Sequence, residues 1–262
     1  MLEWVLEPAG AQAPPWSSAE IAIVTTGERP DLDGQVRAAF RAVWPEFIFH
    51  DPVSGEYLER VEAYFPHLDI LLVDRGEVVA GGWGVPITWK GAIASLPDGY
   101  DGALVRSVTG HETGIQPDTL SVMAAAVRAD RPGRGLASQV PTALRQRASS
   151  LGLTRMLAPV RPTLKSRYPL TPTAEFAKWV RTDGQHLDPW VRTDQRLGAA
   201  ILAPAPRSMV ITGQVSEGES WAEMALPQSG LYVVPGGLDL VEIDREADRG
   251  TDAETNLWMR HS

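Results

Sequence analysis

The chain has 262 residues, 44% of them apolar, with 24 basic against 33 acidic side chains, a net charge of −9 and no cysteine. That is enough to bury a substantial core, as one large domain or two small ones, and the lack of cysteine excludes disulfides, thiolate zinc sites and cysteine nucleophiles. No apolar run approaches the roughly 20 residues that cross a bilayer, the start Met1-Leu2-Glu3-Trp4-Val5 lacks the parts of a signal peptide, and the acidic balance argues against nucleic acid; the expectation is a cytoplasmic protein with no membrane or nucleic-acid partner.

Residues 1–19, with Pro14 and Pro15, read as an N-terminal arm. Ile21–Val24 reads as a strand. Asp31 or Asp33 can cap a helix carrying Val36, Phe40 and Val43, which Pro45 ends. A second helix runs from Ser54 to about Tyr64, with Tyr57, Leu58, Val61 and Phe65 on one face. Ile70–Asp74 and Val78–Trp83 flank Arg75-Gly76-Glu77, a hairpin signal. Residues 91–118 are rich in turn chemistry (Pro97-Asp98-Gly99, Asp101-Gly102, Thr109-Gly110) and read as a long loop or insertion.

Leu120–Val127 is an apolar strand and Ser138–Ser150 a helix. Leu136, Val140, Ala143, Leu144, Ala148 and Leu151 share one face of that helix. Pro141 inside it predicts a kink, and Gly152 is a stop. Met156–Val160 is the next strand, and Thr173–Val180 reads as a helix. Ala199–Leu202, Met209–Thr212 and Leu231–Val234 read as strands and Ser220–Ala225 as a short helix; the polar tail 244–262 reads as poorly ordered in part. Trp-Val-Arg-Thr-Asp occurs at 179–183 and 190–194. Five residues are too few for a structural repeat, so this is coincidence or two similar edges of one pocket. The element order predicts a mixed α/β domain.

Between Val127 and Ser138 lies Arg131-Pro132-Gly133-Arg134-Gly135-Leu136-Ala137. Strand, glycine turn and helix in that order aim several backbone N–H groups at the positive end of a helix dipole, a phosphate site. Arg128, Arg131 and Arg134 add local positive potential to an acidic chain. Neither the dinucleotide fingerprint nor a P-loop is matched. The segment resembles motif A of the GNAT (Gcn5-related N-acetyltransferase) superfamily, Gln/Arg-x-x-Gly-x-Gly/Ala. Gly135, Leu136 and Ala137 match its second half and Gly133-Arg134 the usual filling; Pro132 stands where Gln or Arg is usual, with Arg131 one position early. A second family pattern, Asn-x-x-Ala-x-x-x-Tyr, is met at Tyr168, with Arg161 in place of Asn and Leu164 in place of Ala. Arg161–Leu170 also resembles the GNAT-like loading domains of polyketide synthases.

The resemblance implies an α/β (mixed α+β) fold: a GNAT-like central mixed sheet with splayed parallel strands flanked by helices, plus an extended C-terminal region. The expected organisation is an arm at 1–19, an acyl-CoA-binding core at 20–170 and an extension at 171–262 packed on the same domain. Acetyl-CoA or another acyl-CoA would lie between the splayed strands, held by Val127, Arg128, Gly133, Arg134, Gly135, Leu136, Ala137 and Ser138, with no metal. An N–H near Ala126 to Arg128 would hold the acyl carbonyl. Tyr168 would protonate the leaving thiolate or wall the pocket. The preceding strand offers Thr119 and Ser121 where many relatives place a glutamate, so His111 and Glu112 are the candidate base pair; His50, His67, His186 and His261 are scattered. The implied activity is acetyl transfer to a small-molecule amine. The alternatives are transfer to a carrier-protein thiol, with or without decarboxylation, and a non-catalytic acyl-CoA-binding module. A homodimer is a candidate assembly.

Overall fold

A computed structural model describes residues 21–41, 43–130 and 135–261, with 37–40 described by backbone alone. The expected arm and Arg131–Arg134, including Gly133 and Arg134, lie outside the described residues. β1 (Ala22–Thr25) leads through a 3-10 turn into α1 (Asp33–Arg41). α2 (Pro52–Tyr64) begins at Asp51, whose carboxylate accepts from the Val53 and Ser54 amides at 3.4 and 2.7 Å, meeting two of the donors a helix start leaves open. β2 (Asp69–Asp74) and β3 (Glu77–Ile87) form the expected hairpin. Arg75 and Gly76 turn it with φ of 54° and 87°, the left-handed pair that matches strand twist.

The long loop expected at 91–118 is instead mostly α3 (Gly99–Glu112). Its apolar stripe is short: Ala103, Leu104, Ser107 and Val108 are buried, and its glycines mask the helical period. Gly99 has φ +58°, and a Cβ there would collide with Ser208. β4 (Thr119–Val127), α4 (Leu136–Ser150) and β5 (Arg155–Val160) fall where the sequence predicts them. Further on, the expected helix at 173–180 is only α5 (Thr173–Phe176), and α6 (Pro189–Arg196) follows. The two strands expected between 199 and 212 are one bulged strand, β6 (Ala199–Gly213). The helix expected at 220–225 is α7 (Val215–Ala222), and the strand expected at 231–234 is β7 (Gly230–Tyr232), followed by β8 (Val241–Asp244).

The largest correction concerns the tail. Residues 249–261 form β9 (Arg249–His261), a central strand. Asp252, Glu254, Asn256 and His261 are buried along it beside Leu257, Trp258 and Met259, so its polarity marks buried polar groups rather than solvent. The strand order is β1-β2-β3-β4-β5-β9-β8-β7, with β6 also on β9; among these pairs only β4–β5 is parallel. Helices cover both faces. A Cβ on Gly82 would meet Val140 of α4 at 2.6 Å, whereas the next residue, Trp83, meets Tyr100 of α3 edge-on at 6.2 Å; successive strand residues point to opposite faces. Among the described residues no helix is long and apolar enough to cross a membrane.

Burial raises five carboxyls: Asp69, Asp194 and Asp252 to about 7, Asp101, beside Asp51, to about 8, and Glu254 as well. A carboxyl whose folded pKa exceeds its unfolded value binds a proton on folding. Its contribution is complete below the unfolded pKa and is lost as pH rises through the folded one. Stability should therefore fall between about pH 5 and 8, by at least about 2 kcal/mol in total. Urea unfolding across that range checks this; a stability that rises with pH would refute it.

Candidate active site

β4 and β5 pair only at Thr119–Arg155, Leu120–Met156 and Ser121–Leu157. Beyond that point β4 follows β3 to Val127, while β5 follows β9 through Val160, so the two strands part. A bulge assists: Trp83 pairs with Ala124 and Gly84 with Val122, leaving Met123 as the extra residue, and a bulge bends its strand and increases twist. The Arg128 amide donates to the Val79 carbonyl at 3.0 Å. Amides alternate sides along an antiparallel ladder, so those of Val127 and Ala125 point away from β3, into the gap.

A cavity of about 330 Å³ occupies this gap. Val122, Ala124, Ala125, Ala158 and Val160 are its walls, their side chains small enough to keep it open. Pro141 of α4 with Trp190 and Asp194 of α6 line one end; Ser54 and Leu58 of α2 with Tyr100 of α3 line the other. The cavity thus draws its lining from both faces of the sheet.

At the start of α4, Gly135 has φ 68° and ψ 18° and is the N-cap. A Cβ there would find space but a strained backbone. The Ser138 hydroxyl donates to the Gly135 carbonyl at 2.8 Å, and Leu136 is buried. The first turn leaves amides open at the positive end of the dipole, which suits a pyrophosphate. Arg128 is otherwise engaged. Its guanidinium is forked on Asp130 at 2.9 and 2.8 Å, donates to the Val78 carbonyl and lies 3.6 Å from Glu77.

Tyr168, His111 and Glu112 do not line the cavity. Tyr168 packs on Phe176 and Trp179, with ring centres at 6.1 and 4.9 Å, and is 39% exposed. His111 and Glu112 close α3, where His111 stacks on Tyr64 at 4.3 Å and Glu112 accepts from Tyr64 and Arg60 at 3.0 and 3.2 Å. His111 borders a separate groove of about 870 Å³ along α3.

Among the described residues the ionisable groups lining the cavity are Tyr100, Arg161, Asp194 and His261. Burial pushes the Tyr100 phenol up. Arg161 donates to Glu254 at 2.8 Å and to the Gly236 carbonyl at 2.6 Å. Burial, then Asp188, raises Asp194 to about 7; burial, then Arg145, lowers His261 to about 4. His261 Nε2 lies 3.5 Å from Asp194 Oδ1, while His261 Nδ1 and Asn256 Oδ1 are buried without a hydrogen-bond partner. Sequence reading missed this pair. Its one local signal is the second Trp-Val-Arg-Thr-Asp, which sets Trp190 and Asp194 one helical turn apart on α6. No group of three or more His, Asp or Glu side chains among the described residues is placed to hold a metal.

The parted parallel strands, the bulge and the helix start behind them define a GNAT-like fold, as the sequence resemblance implied. No protein-family profile matches the chain. The arginine N-acetyltransferase avaD of Aspergillus versicolor is 27% identical over 288 residues, covering 98% of this chain and 97% of the relative. The loading GNATL domain of CurA from Lyngbya majuscula is 13% identical, with TM-score 0.60 over 93% of this chain and 98% of that one. The GphF GNAT-like decarboxylase in complex with isobutyryl-CoA is also 13% identical, with TM-score 0.52 and the same coverage.

Proposed function

We propose that the protein is an acyl-CoA-dependent acyltransferase, most simply one that moves acetyl from acetyl-CoA to a small amine. The opening of β4 from β5 carries this reading, because it leaves the Ala125 amide, turned away from β3, beside a cavity lined from both faces of the sheet. The pantetheine arm enters from the α4 side, with its pyrophosphate on the Gly135–Ser138 turn. A donor fixed at the acyl oxygen stabilises the charge that develops there as the amine attacks. Tyr168, His111 and Glu112 line none of the gap, and this reading assigns them no step.

The avaD relative is named for arginine, and arginine is the first acceptor to test. The α2 and α3 end of the cavity is aromatic, with Trp44, Phe49, Trp83 and Tyr100. Such faces suit a guanidinium or an amine on an apolar stem. The Arg41 guanidinium already lies 5.0 Å from the Phe49 ring centre.

The protein is incubated with acetyl-CoA and arginine, a panel of other amines, or a phosphopantetheine thiol, and products are read by mass. An acetylated amine is the expected product. Excess CoA should raise stability by about 2.7 kcal/mol at 100 times its dissociation constant, and Gly135→Val should remove that gain. No amine product and no stabilisation by millimolar CoA would overturn the reading; product on the thiol alone would replace the amine acceptor.

A further inference from the structure

We propose that Arg161 is the carboxylate anchor for the acceptor, so that the acceptor is an amine that also carries a carboxylate, most simply an α-amino acid. This rests on the acyltransferase reading above. Among the described residues Arg161 is the one lysine or arginine lining the cavity. It stands at the first position after β5, the strand that forms one lip of the gap.

Arg161 belongs to the acceptor end. It meets Glu254, and Glu254, Asn256 and Trp258 share one face of β9. Trp258 Nε1 donates to the Pro97 carbonyl, just ahead of α3, at 3.2 Å, so this is the sheet face that α3 covers. Ser54 of α2, Tyr100 of α3 and Asn256 line the cavity with Arg161. The guanidinium is fixed at two nitrogens and open at the third. Nε donates to Glu254 at 2.8 Å and Nη2 to the Gly236 carbonyl at 2.6 Å. Nη1 has no hydrogen-bond partner among the described residues, yet it is not one of the unpaired atoms sealed from solvent. It therefore keeps accessible surface, on a side chain that walls the cavity. A planar fork already held at two points loses little freedom when the third binds.

The charge around it permits an anion. Lys165 is committed to Asp239 at 2.9 Å, and Asp51 to the first amides of α2. Burial raises Asp252 to about 7, Asp101 to about 8, and Glu254 as well. Bound protons offset much of their negative charge near neutral pH, and a carboxylate arriving at Arg161 is compensated by uptake of a further one. In an α-amino acid the carboxylate and the amine share one carbon. Anchoring the carboxylate at the β5 lip limits where the amine can stand and leaves the side chain to the aromatic wall of Trp44, Phe49, Trp83 and Tyr100.

Each amino acid that gives product, L-arginine first, is assayed against its own amide with acetyl-CoA as donor. The amide keeps the amine and the side chain and lacks the anionic oxygen; its amine is less basic, so intrinsic reactivity favours it. The acid should nevertheless have the higher kcat/KM by about 10- to 100-fold, the worth of a hydrogen bond between charged groups, mainly through the acceptor KM. Two variants test the residue: Arg161→Lys, whose single ammonium cannot reach Glu254, Gly236 and a ligand together, and Arg161→Met with Glu254→Gln, which removes both charges of the pair. In each the ratio should fall to within about threefold of one. The ratio is internal to one protein, so a lower folded fraction does not move it, and CoA-induced thermal stabilisation identifies the variants that remain folded. A wild type that uses the amide as well as the acid, product only with amines that bear no carboxylate, or a ratio that persists in a folded variant overturns the anchor while leaving acyl transfer to an amine intact. So does a loss in the variants confined to a carboxylate-bearing donor, malonyl-CoA, because the anion would then belong to the acyl group. A wild type that gives no product with any amine overturns the amine-acceptor reading, and this proposal with it.

Discussion

Arg161→Met is expected to cost about 3–5 kcal/mol at pH 8 and much less at pH 5. The Arg161 and Glu254 side chains are 9% and 1% exposed and meet at 2.8 Å. Removing one partner leaves a charge buried without compensation, which costs far more than the pair itself contributes. Burial already raises Glu254, and Arg161 is the largest influence opposing it. Without Arg161 the folded pKa climbs further. Stability is then retained while the carboxyl is protonated and is lost as pH rises through that value. Urea unfolding at the two pH values tests this. An equal cost at both, or less than about 1 kcal/mol at pH 8, would refute it. Adding Glu254→Gln should recover much of the loss, because both members of the pair are then neutral.

Gly82→Val should be the other severe change. Its Cβ would lie 2.5 Å from the Ala124 carbonyl oxygen, 2.6 Å from Val140 Cγ1 and 3.1 Å from Ala125 Cα. The obstacle is β4 backbone and the α4 face, so nothing flexible can give way. Overpacking of this kind costs about 1–3 kcal/mol and sometimes more; here about 3 kcal/mol or more is expected, a fall in Tm of about 6–12 °C. Ala124 and Ala125 also wall the cavity, so CoA-induced stabilisation should vanish as well. Gly110→Ala is the control. Its Cβ would meet nothing within 4 Å, and inside a helix it should gain about 0.5–1 kcal/mol. A Gly82→Val protein as stable as wild type would show that α4 does not press on β3 as described.

The legible parts of the chain were those with a local signal. Arg75-Gly76 announced its hairpin, and Leu120–Val127 and Met156–Val160 announced the two strands of the gap, because turn chemistry and unbroken apolar runs are local properties. α3 stayed hidden because three of its fourteen residues are glycine and its buried stripe includes Ser107. β9 stayed hidden because its burial is a property of its neighbours: Asp252 and Glu254 are tolerated inside only beside Arg161 and shifted protonation. A glycine turn before α4 could be read from the chain, and Gly135 there has a left-handed backbone conformation that favours glycine. The pair at His261 and Asp194 could not, since no motif spans two residues contributed by the last strand and a distant helix. Motif resemblance pointed to the two strands that part, and packing supplied the ionisable groups that line the cavity between them.

The position of β9 has a consequence for how the protein is made. β5 is complete at Val160, but its antiparallel partner begins at Arg249. At synthesis rates of about 5–20 residues per second, roughly 5–20 s separate the two on the ribosome. Throughout that interval the edge of β5 is an open template for any extended strand, including that of a neighbouring nascent chain. Yield during expression should therefore depend on translation speed and crowding between residues 160 and 249 more than on the stability of the finished fold.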